Sequence, residues 1–141
     1  MLRKLSIIGI ALAGGAAVAA TLDGPDPVRA HLQARGYAQV HDLEFDNGLW
    51  EAEAQAADGG HREVVVDPAS GEVFDADDGR PVQDAAAVRA SLTAAGYTQV
   101  RDLDRDGAVW EADAGGPDGA RVELRVSGYD GRVLHSEIDG D

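Results

Sequence analysis

The chain has 141 residues, of which 26 are acidic and 12 basic, giving a formal net charge of -14 at pH 7. This negative charge disfavours nucleic acids and anionic lipid surfaces as partners, because both bind to basic surfaces. It favours cationic partners such as divalent ions or basic patches on proteins. The chain has no cysteine, which excludes disulfides, thiol catalysis and thiolate metal sites, so its fold must rest on its core.

The first residues have the pattern of a secretory signal peptide. Arg3 and Lys4 form a positive start, Leu5–Ala13 forms an apolar stretch, and small residues suitable for cleavage follow at Ala17–Ala20. An uncleaved anchor is the alternative, but the apolar stretch of about 16 residues is shorter than the roughly 20 that a spanning helix needs. We therefore expect residues 1–20 to be removed, leaving a bacterial periplasmic or secreted protein with no membrane attachment.

A short helix is predicted directly after this stretch. Asp26-Pro27 is a typical helix start, since the Asp side chain can accept hydrogen bonds from free backbone amides and Pro suits the first turn. Val28 and Leu32 lie four residues apart on one face, and Gly36 supplies a stop signal. A second helix repeats this design, with the matching residues Asp84, Val88, Leu92 and Gly96.

Strands joined by tight turns follow each helix. After the turn signal Asn47-Gly48, apolar residues alternate with Glu51 and Glu53. The matching strand after Asp106-Gly107 has the same alternation. In a third strand, Arg121, Glu123 and Arg125 are predicted to face away from the helix, opposite Val122, Leu124 and Val126. A short fourth strand is predicted at Val73-Phe74 and at Val133-Leu134.

The two segments are copies of one unit. They align without a gap, with Gly36 matching Gly96, and about 22 of 51 aligned positions are identical. We therefore predict an α+β fold of two tandem repeats, each one helix packed on a three- to four-stranded antiparallel sheet. The repeats span residues 25–78 and 84–138, with a polar linker at 79–83. Because a unit of about 50 residues is marginally stable alone, we expect the copies to pack together around a pseudo-twofold axis, with a shared or continuous sheet.

The order of these motifs resembles that of PepSY domains. The shared pattern is a helix ending in Gly-Tyr, a strand, an Asp-Gly turn, a Trp-Glu-Ala strand, a second Asp-Gly turn and the segment Val64–Val73. The second copy departs from it where Ser127–Gly131 replaces the Asp-Pro turn. PepSY domains occur in propeptides of secreted metallopeptidases, which they are thought to inhibit, and in exported bacterial proteins. The resemblance implies a regulatory role through protein contacts.

One acidic segment fits the spacing of a calcium-binding loop. Its oxygen ligands would be Asp102, Asp104, Asp106 and Asp113. The alternation that follows instead favours a hairpin turning at Asp106-Gly107, and we expect such a strand to carry Asp113 away from Asp102. The first copy also lacks the glycine that the loop needs. The hairpin is thus the preferred interpretation, with calcium the one alternative cofactor.

No catalytic constellation is present in the sequence. The histidines lack the spacing of metal ligands and are interpreted as surface polar residues: His31, His41, His61 and His135. Paired acids such as Glu51 and Glu53 fall on a solvated strand face, whereas general acid–base catalysis needs one carboxyl group in an apolar pocket. We predict an exported, non-catalytic binding or regulatory module. Its acidic sheet surface would dock onto a protein, such as a peptidase that it restrains or another envelope protein. The alternative is a calcium-binding envelope protein.

Overall fold

A computed structural model describes residues 21–140. The predicted signal peptide at residues 1–20 lies outside the described residues. Within the described range, no helix has the length and apolar character needed to cross a bilayer. The elements of the first unit are α1 (Pro25–Ala34), β1 (Ala38–Asp46), β2 (Leu49–Gln55), β3 (His61–Val66) and β4 (Val73–Phe74). Those of the second unit are α2 (Ala85–Ala94), β5 (Thr98–Asp106), β6 (Val109–Gly115), β7 (Arg121–Ser127) and β8 (Val133–Ile138).

Each unit is one helix followed by a four-stranded antiparallel sheet with its strands in sequence order. This confirms the predicted α+β class and the helix-plus-sheet repeats. The expectation of a shared or continuous sheet is wrong, because among residues 21–140 no strand of one unit pairs with a strand of the other. The strand β8 is also longer than the predicted Val133-Leu134, since it continues along β7 as far as Ile138.

Each helix lies on one face of its own sheet. The helix α1 buries Val28 and Leu32 completely, and α2 buries the matching residues Val88 and Leu92. The predicted cap at Asp84 is confirmed, since its carboxylate accepts a hydrogen bond from the Ala87 amide. The predicted cap at Asp26 is wrong: α1 begins two residues earlier, because Pro25 takes the first helical position, and Asp26 pairs with Arg29 instead.

A tryptophan, half-buried in the first unit and buried in the second, anchors the chain just ahead of each helix. The indole Nε1 of Trp50 donates to the Leu22 carbonyl oxygen at 3.1 Å, and that of Trp110 donates to the Gln83 carbonyl oxygen at 3.0 Å. The apolar faces of the strands close each core beneath its helix. Because the helix, the lead-in segment and one sheet face form this core, the other sheet face is left for contacts outside the unit.

A third apolar cluster joins the two units. Its buried members are Leu49, Phe74, Ala108 and Val109. The Phe74 ring stacks on the Tyr129 ring of the second unit with 5.4 Å between centroids. The Arg80 guanidinium lies 3.8 Å from the centroid of the Tyr129 ring, which ties the connector between the units, residues 75–83, to this cluster. The units therefore meet through faces and hairpin ends rather than through sheet edges.

The acidic run at the start of the connector is solvated only in part, because Asp75 is buried whereas Asp77 and Asp78 are exposed. Asp75 is only 2% exposed. Its carboxylate accepts hydrogen bonds from the Tyr37 hydroxyl at 2.8 Å and from the Asp77 amide at 3.0 Å. Burial, followed by this bond to Asp75, raises the pKa of Tyr37 above its ordinary value. The carboxylate thus fixes the end of the first sheet to the connector.

Arg125 also lies in an environment that the sequence did not predict. It faces away from α2, as expected, but the first unit covers that side of the sheet, and the residue is 3% exposed. Its guanidinium donates to Glu51 across the interface at 3.2 Å and lies 3.5 Å from Glu111. A buried charge needs such partners, so Arg125 links the units electrostatically.

Candidate functional site

The sheet face opposite each helix forms an open groove. The turn between β1 and β2 reaches over the second sheet, where Asn47 helps to line one groove. The turn between β5 and β6 reaches over the first sheet, where Gly107 lines the other. We call the groove on the first sheet the first groove and the one on the second sheet the second groove. The two grooves are equivalent in that each is lined by one sheet and by the hairpin turn of the other unit.

The first groove is strongly acidic. Its carboxylates are Asp42, Glu44, Glu51, Glu53, Glu63 and Asp106, and its lining includes no basic residue. Burial raises the pKa of Glu51, although its hydrogen bond and ion pair with Arg125 act in the opposite direction. The crowding of negative charge makes this groove a favourable site for cationic groups.

The second groove is acidic as well, but it contains compensating basic groups. Its carboxylates are Asp102, Asp104, Glu111, Asp113, Glu123 and Glu137, and Arg125 and His135 also line it. Burial, followed by a hydrogen bond and charge repulsion from Asp102, raises the pKa of Asp113. The expectation that strand geometry would separate Asp102 from Asp113 is therefore wrong.

A bulge in β5 explains this proximity. Arg101 pairs with Asp113 across the hairpin, and the register shifts on both sides of that pair. Asp102 has a positive φ of 52°, a conformation that most residues avoid. The bulge interrupts the regular alternation of side chains. Asp102 therefore lies on the same side of the sheet as Asp113, the residue that pairs with Arg101.

The acids of the proposed calcium loop do not all meet at one point. Asp102, Asp104 and Asp113 line the second groove, whereas Asp106 lines the first. The segment forms the preferred hairpin, in which β5 ends at Asp106 and β6 begins at Val109. Calcium binding by the remaining three acids stays a prediction.

At one end of the first sheet, two histidines lie beside two acids. The His41 Nε2 atom lies 3.2 Å from a Glu53 carboxylate oxygen and 3.8 Å from an Asp42 oxygen. The His61 Nε2 atom lies 3.8 Å from the other Glu53 oxygen. Sequence spacing did not reveal this group, because its members come from three strands. The hairpin register, with His41 opposite Glu53 and His61 opposite Gln55, is the signal that brings them together.

The other two histidines have separate surroundings. The His31 Nε2 atom lies 2.6 Å from the Gly71 carbonyl oxygen, which joins α1 to the turn before β4. His135 lies beside Gly48 of the β1–β2 turn. Both therefore have packing or hydrogen-bonding roles at contacts between elements.

Comparison with known proteins decides the family. A family model described as the peptidase propeptide and YPEB domain, PepSY, matches residues 4–77, which is just over half of the chain. The chain belongs to the PepSY family. The match includes the first unit of this PepSY protein, while the second unit lies beyond the matched range. No curated protein and no solved structure matches the chain significantly.

Membership of the PepSY family indicates the general class of function. PepSY domains are generally regulatory modules of propeptide or inhibitor type rather than catalysts. They interact with other proteins and occur in exported bacterial proteins. In this PepSY protein, the helices cover the apolar sheet faces, and the two acidic grooves lie on the opposite faces.

Proposed function

We propose that this PepSY protein is an exported, non-catalytic module that binds another protein through its acidic grooves. The partner is a peptidase that it restrains or another protein of the cell envelope. The observation that carries the proposal is the acidic lining of both helix-free sheet faces, with six carboxylates in each groove. Charge of one sign on a concave surface attracts a basic partner surface and guides its orientation on binding.

The edge of the second sheet adds a second mode of contact. Strand β8 is the outermost strand of this sheet, and Ile138 at its end is 69% exposed. An outer strand offers backbone groups to an extended segment of a partner, which can pair with it as an added strand. The second groove borders this strand, since Glu137 of β8 lines it. One partner segment can therefore contact the groove and the edge together.

The test is affinity capture from the native envelope fraction, followed by titration of the purified partner. We expect the groove variants Glu44→Gln/Glu63→Gln and Asp104→Asn/Glu123→Gln to weaken binding by about 10-fold, because each removes two exposed carboxylates from one groove. The control Asp23→Asn/Asp26→Asn removes the same charge from outside the grooves and should leave affinity unchanged. Equal affinities for all three variants would contradict docking through the grooves.

Calcium binding is tested in the same experiment. Three acids of the predicted calcium segment converge on the second groove, which is the observation that favours this second candidate. The capture is run with calcium and with chelator, and the melting temperature of the free protein is measured in both. Enrichment and stabilisation that require calcium and disappear in Asp104→Ala would favour the calcium-binding function. A partner held equally in both arms favours docking alone.

A further inference from the structure

Three neighbouring strands of the first sheet place two imidazoles and two carboxylates at one point on the surface. His41 and Asp42 lie on β1, Glu53 on β2 and His61 on β3. Nitrogen and oxygen atoms of His41, Asp42 and Glu53 all lie within 4.8 Å of one another. The two imidazole centroids are 6.5 Å apart, with Glu53 in contact with both rings. We propose that this cluster is a binding site for a divalent transition-metal ion of the zinc type.

The orientation of His41 fits that of a metal ligand. Its Nδ1 atom lies 2.7 Å from the Gln39 carbonyl oxygen, which can only accept a hydrogen bond. Nδ1 therefore carries a proton, and Nε2, which faces Glu53 and Asp42, is the ring nitrogen left to bind a metal, its lone pair becoming available when the metal displaces the Nε2 proton. In metal sites, a ligating histidine commonly donates its other N–H to a carbonyl or carboxylate in this way.

The distances agree with a tetrahedral shell. With ligand bonds of about 2.0–2.2 Å, neighbouring ligand atoms are about 3.3–3.6 Å apart. The separations from His41 Nε2, 3.2 Å to Glu53 and 3.8 Å to Asp42, bracket this range. His61 lies outside the group of atoms that are within 4.8 Å of one another, but its Nε2 is 3.8 Å from Glu53, so rotation of its exposed side chain would let it serve as the fourth ligand. Two nitrogen and two oxygen ligands suit zinc, whereas calcium prefers an all-oxygen shell.

The second repeat shows which residues are specific to this site. It has the same bulge, and it keeps carboxylates at Asp102 and Asp113, but arginines replace the two histidines at Arg101 and Arg121. A guanidinium is always charged and has no lone pair to donate to a metal. The first repeat alone therefore has nitrogen ligands at this position, and the arginines define substitutions that this fold already accepts. Zinc binding at this cluster requires no protein partner, although Asp42 and Glu53 also line the first groove.

The test is calorimetric titration of zinc into the untagged protein, purified after expression of the full-length chain and freed of metal by chelation. We expect one zinc ion per chain. The variant His41→Arg/His61→Arg, which copies the second repeat, should weaken zinc binding at least about 10-fold. The control His31→Gln/His135→Gln removes the two histidines outside the cluster and should keep the wild-type affinity. Cobalt in place of zinc should give the absorption spectrum of a tetrahedral site.

Three outcomes would overturn the proposal. These are no zinc binding by the wild type, equal zinc affinity in His41→Arg/His61→Arg, and displacement of zinc by a modest excess of calcium. The last would show an unselective acidic surface rather than a site with nitrogen ligands. Melting temperatures of the metal-free variants establish that each is folded, so a loss of binding reports on the ligands themselves.

Discussion

Asp113 pairs with another acid at the floor of an acidic groove. The bulge in β5 holds Asp102 beside it, and Asp139 adds further negative charge. Burial and these neighbours raise the pKa of Asp113 above the ordinary value of 3.8. The folded state therefore favours the protonated carboxyl, and its contribution to stability is present at low pH and is lost as the pH rises through the raised pKa. At neutral pH the ionised group opposes folding.

The substitution Asp113→Asn should consequently stabilise the protein at pH 7. We expect a gain below about 1 kcal/mol, because charges near the surface are screened by solvent. The gain should shrink as the pH falls through the raised pKa and reach its minimum well below 3.8, where the wild-type carboxyl is protonated in both states. Urea unfolding at several pH values measures this. The control Asp23→Asn removes an equal charge away from the grooves. A gain of the same size and pH dependence in that control would show a general charge effect.

At the scale of elements, the two hairpin turns lock the units together. Asn47 and Gly48 of the β1–β2 turn both have positive φ, at 46° and 78°. Such values are typical of the tight type I′ turn that Asn-Gly favours between antiparallel strands. A Cβ atom added to Gly48 would overlap the His135 ring on the second sheet. Glycine therefore serves both the turn and the close approach of the hairpin to the other unit.

We predict that Gly48→Ala lowers the free energy of unfolding more than the same substitution at a turn glycine with open space around it. Gly59 has a similar φ of 85°, but an added Cβ meets nothing within 4 Å, so Gly59→Ala reports the backbone penalty of about 1–2 kcal/mol alone. Gly48→Ala should lose about 1–3 kcal/mol more, the usual cost of overpacking. Urea unfolding compares the two variants. The extra loss should be largely recovered in Gly48→Ala/His135→Ala, and its persistence would mean that His135 is not the obstacle.

Elements and their order could be predicted from sequence because their signals are local. Helix periodicity, the Asn-Gly turn and the alternation around Trp50 each depend on residues within a few positions of one another. The burial of Arg125 and Asp75 could not be predicted, because it depends on residues distant in the sequence. Both appear solvated when only their own repeat is considered, and burial comes from the other unit and the connector.

The candidate sites were only partly predictable for the same reason. The acidic strand faces were evident from the alternation of Glu51 and Glu53, but their enclosure as grooves depends on the opposing hairpin turns. The cluster of His41, Glu53 and His61 required the register of three strands, including a bulge that no turn or periodicity signal predicts.

For the molecule as a whole, the third apolar cluster determines whether two repeats behave as one protein. Each unit alone is small, and a domain of this size buries too little surface to be more than marginally stable. Phe74 is 1% exposed and stacks on Tyr129 across the interface, so it contributes to the cluster rather than to either helix-covered core. Loss of this contact should therefore weaken both units together.

We predict that Phe74→Ala lowers the free energy of unfolding by about 3–5 kcal/mol, the usual cost of removing a buried aromatic ring. The reporters are Trp50 in the first unit and Trp110 in the second, each followed separately in the background Trp110→Phe or Trp50→Phe. If the units unfold cooperatively, both tryptophans give the same midpoint, and Phe74→Ala shifts the two midpoints equally. The control Ile138→Ala alters a residue that is 69% exposed and should change the free energy by less than about 0.5 kcal/mol. Separate midpoints in the Phe74-containing protein, or a shift confined to Trp50, would show that the repeats are independent and that the interface does not couple them.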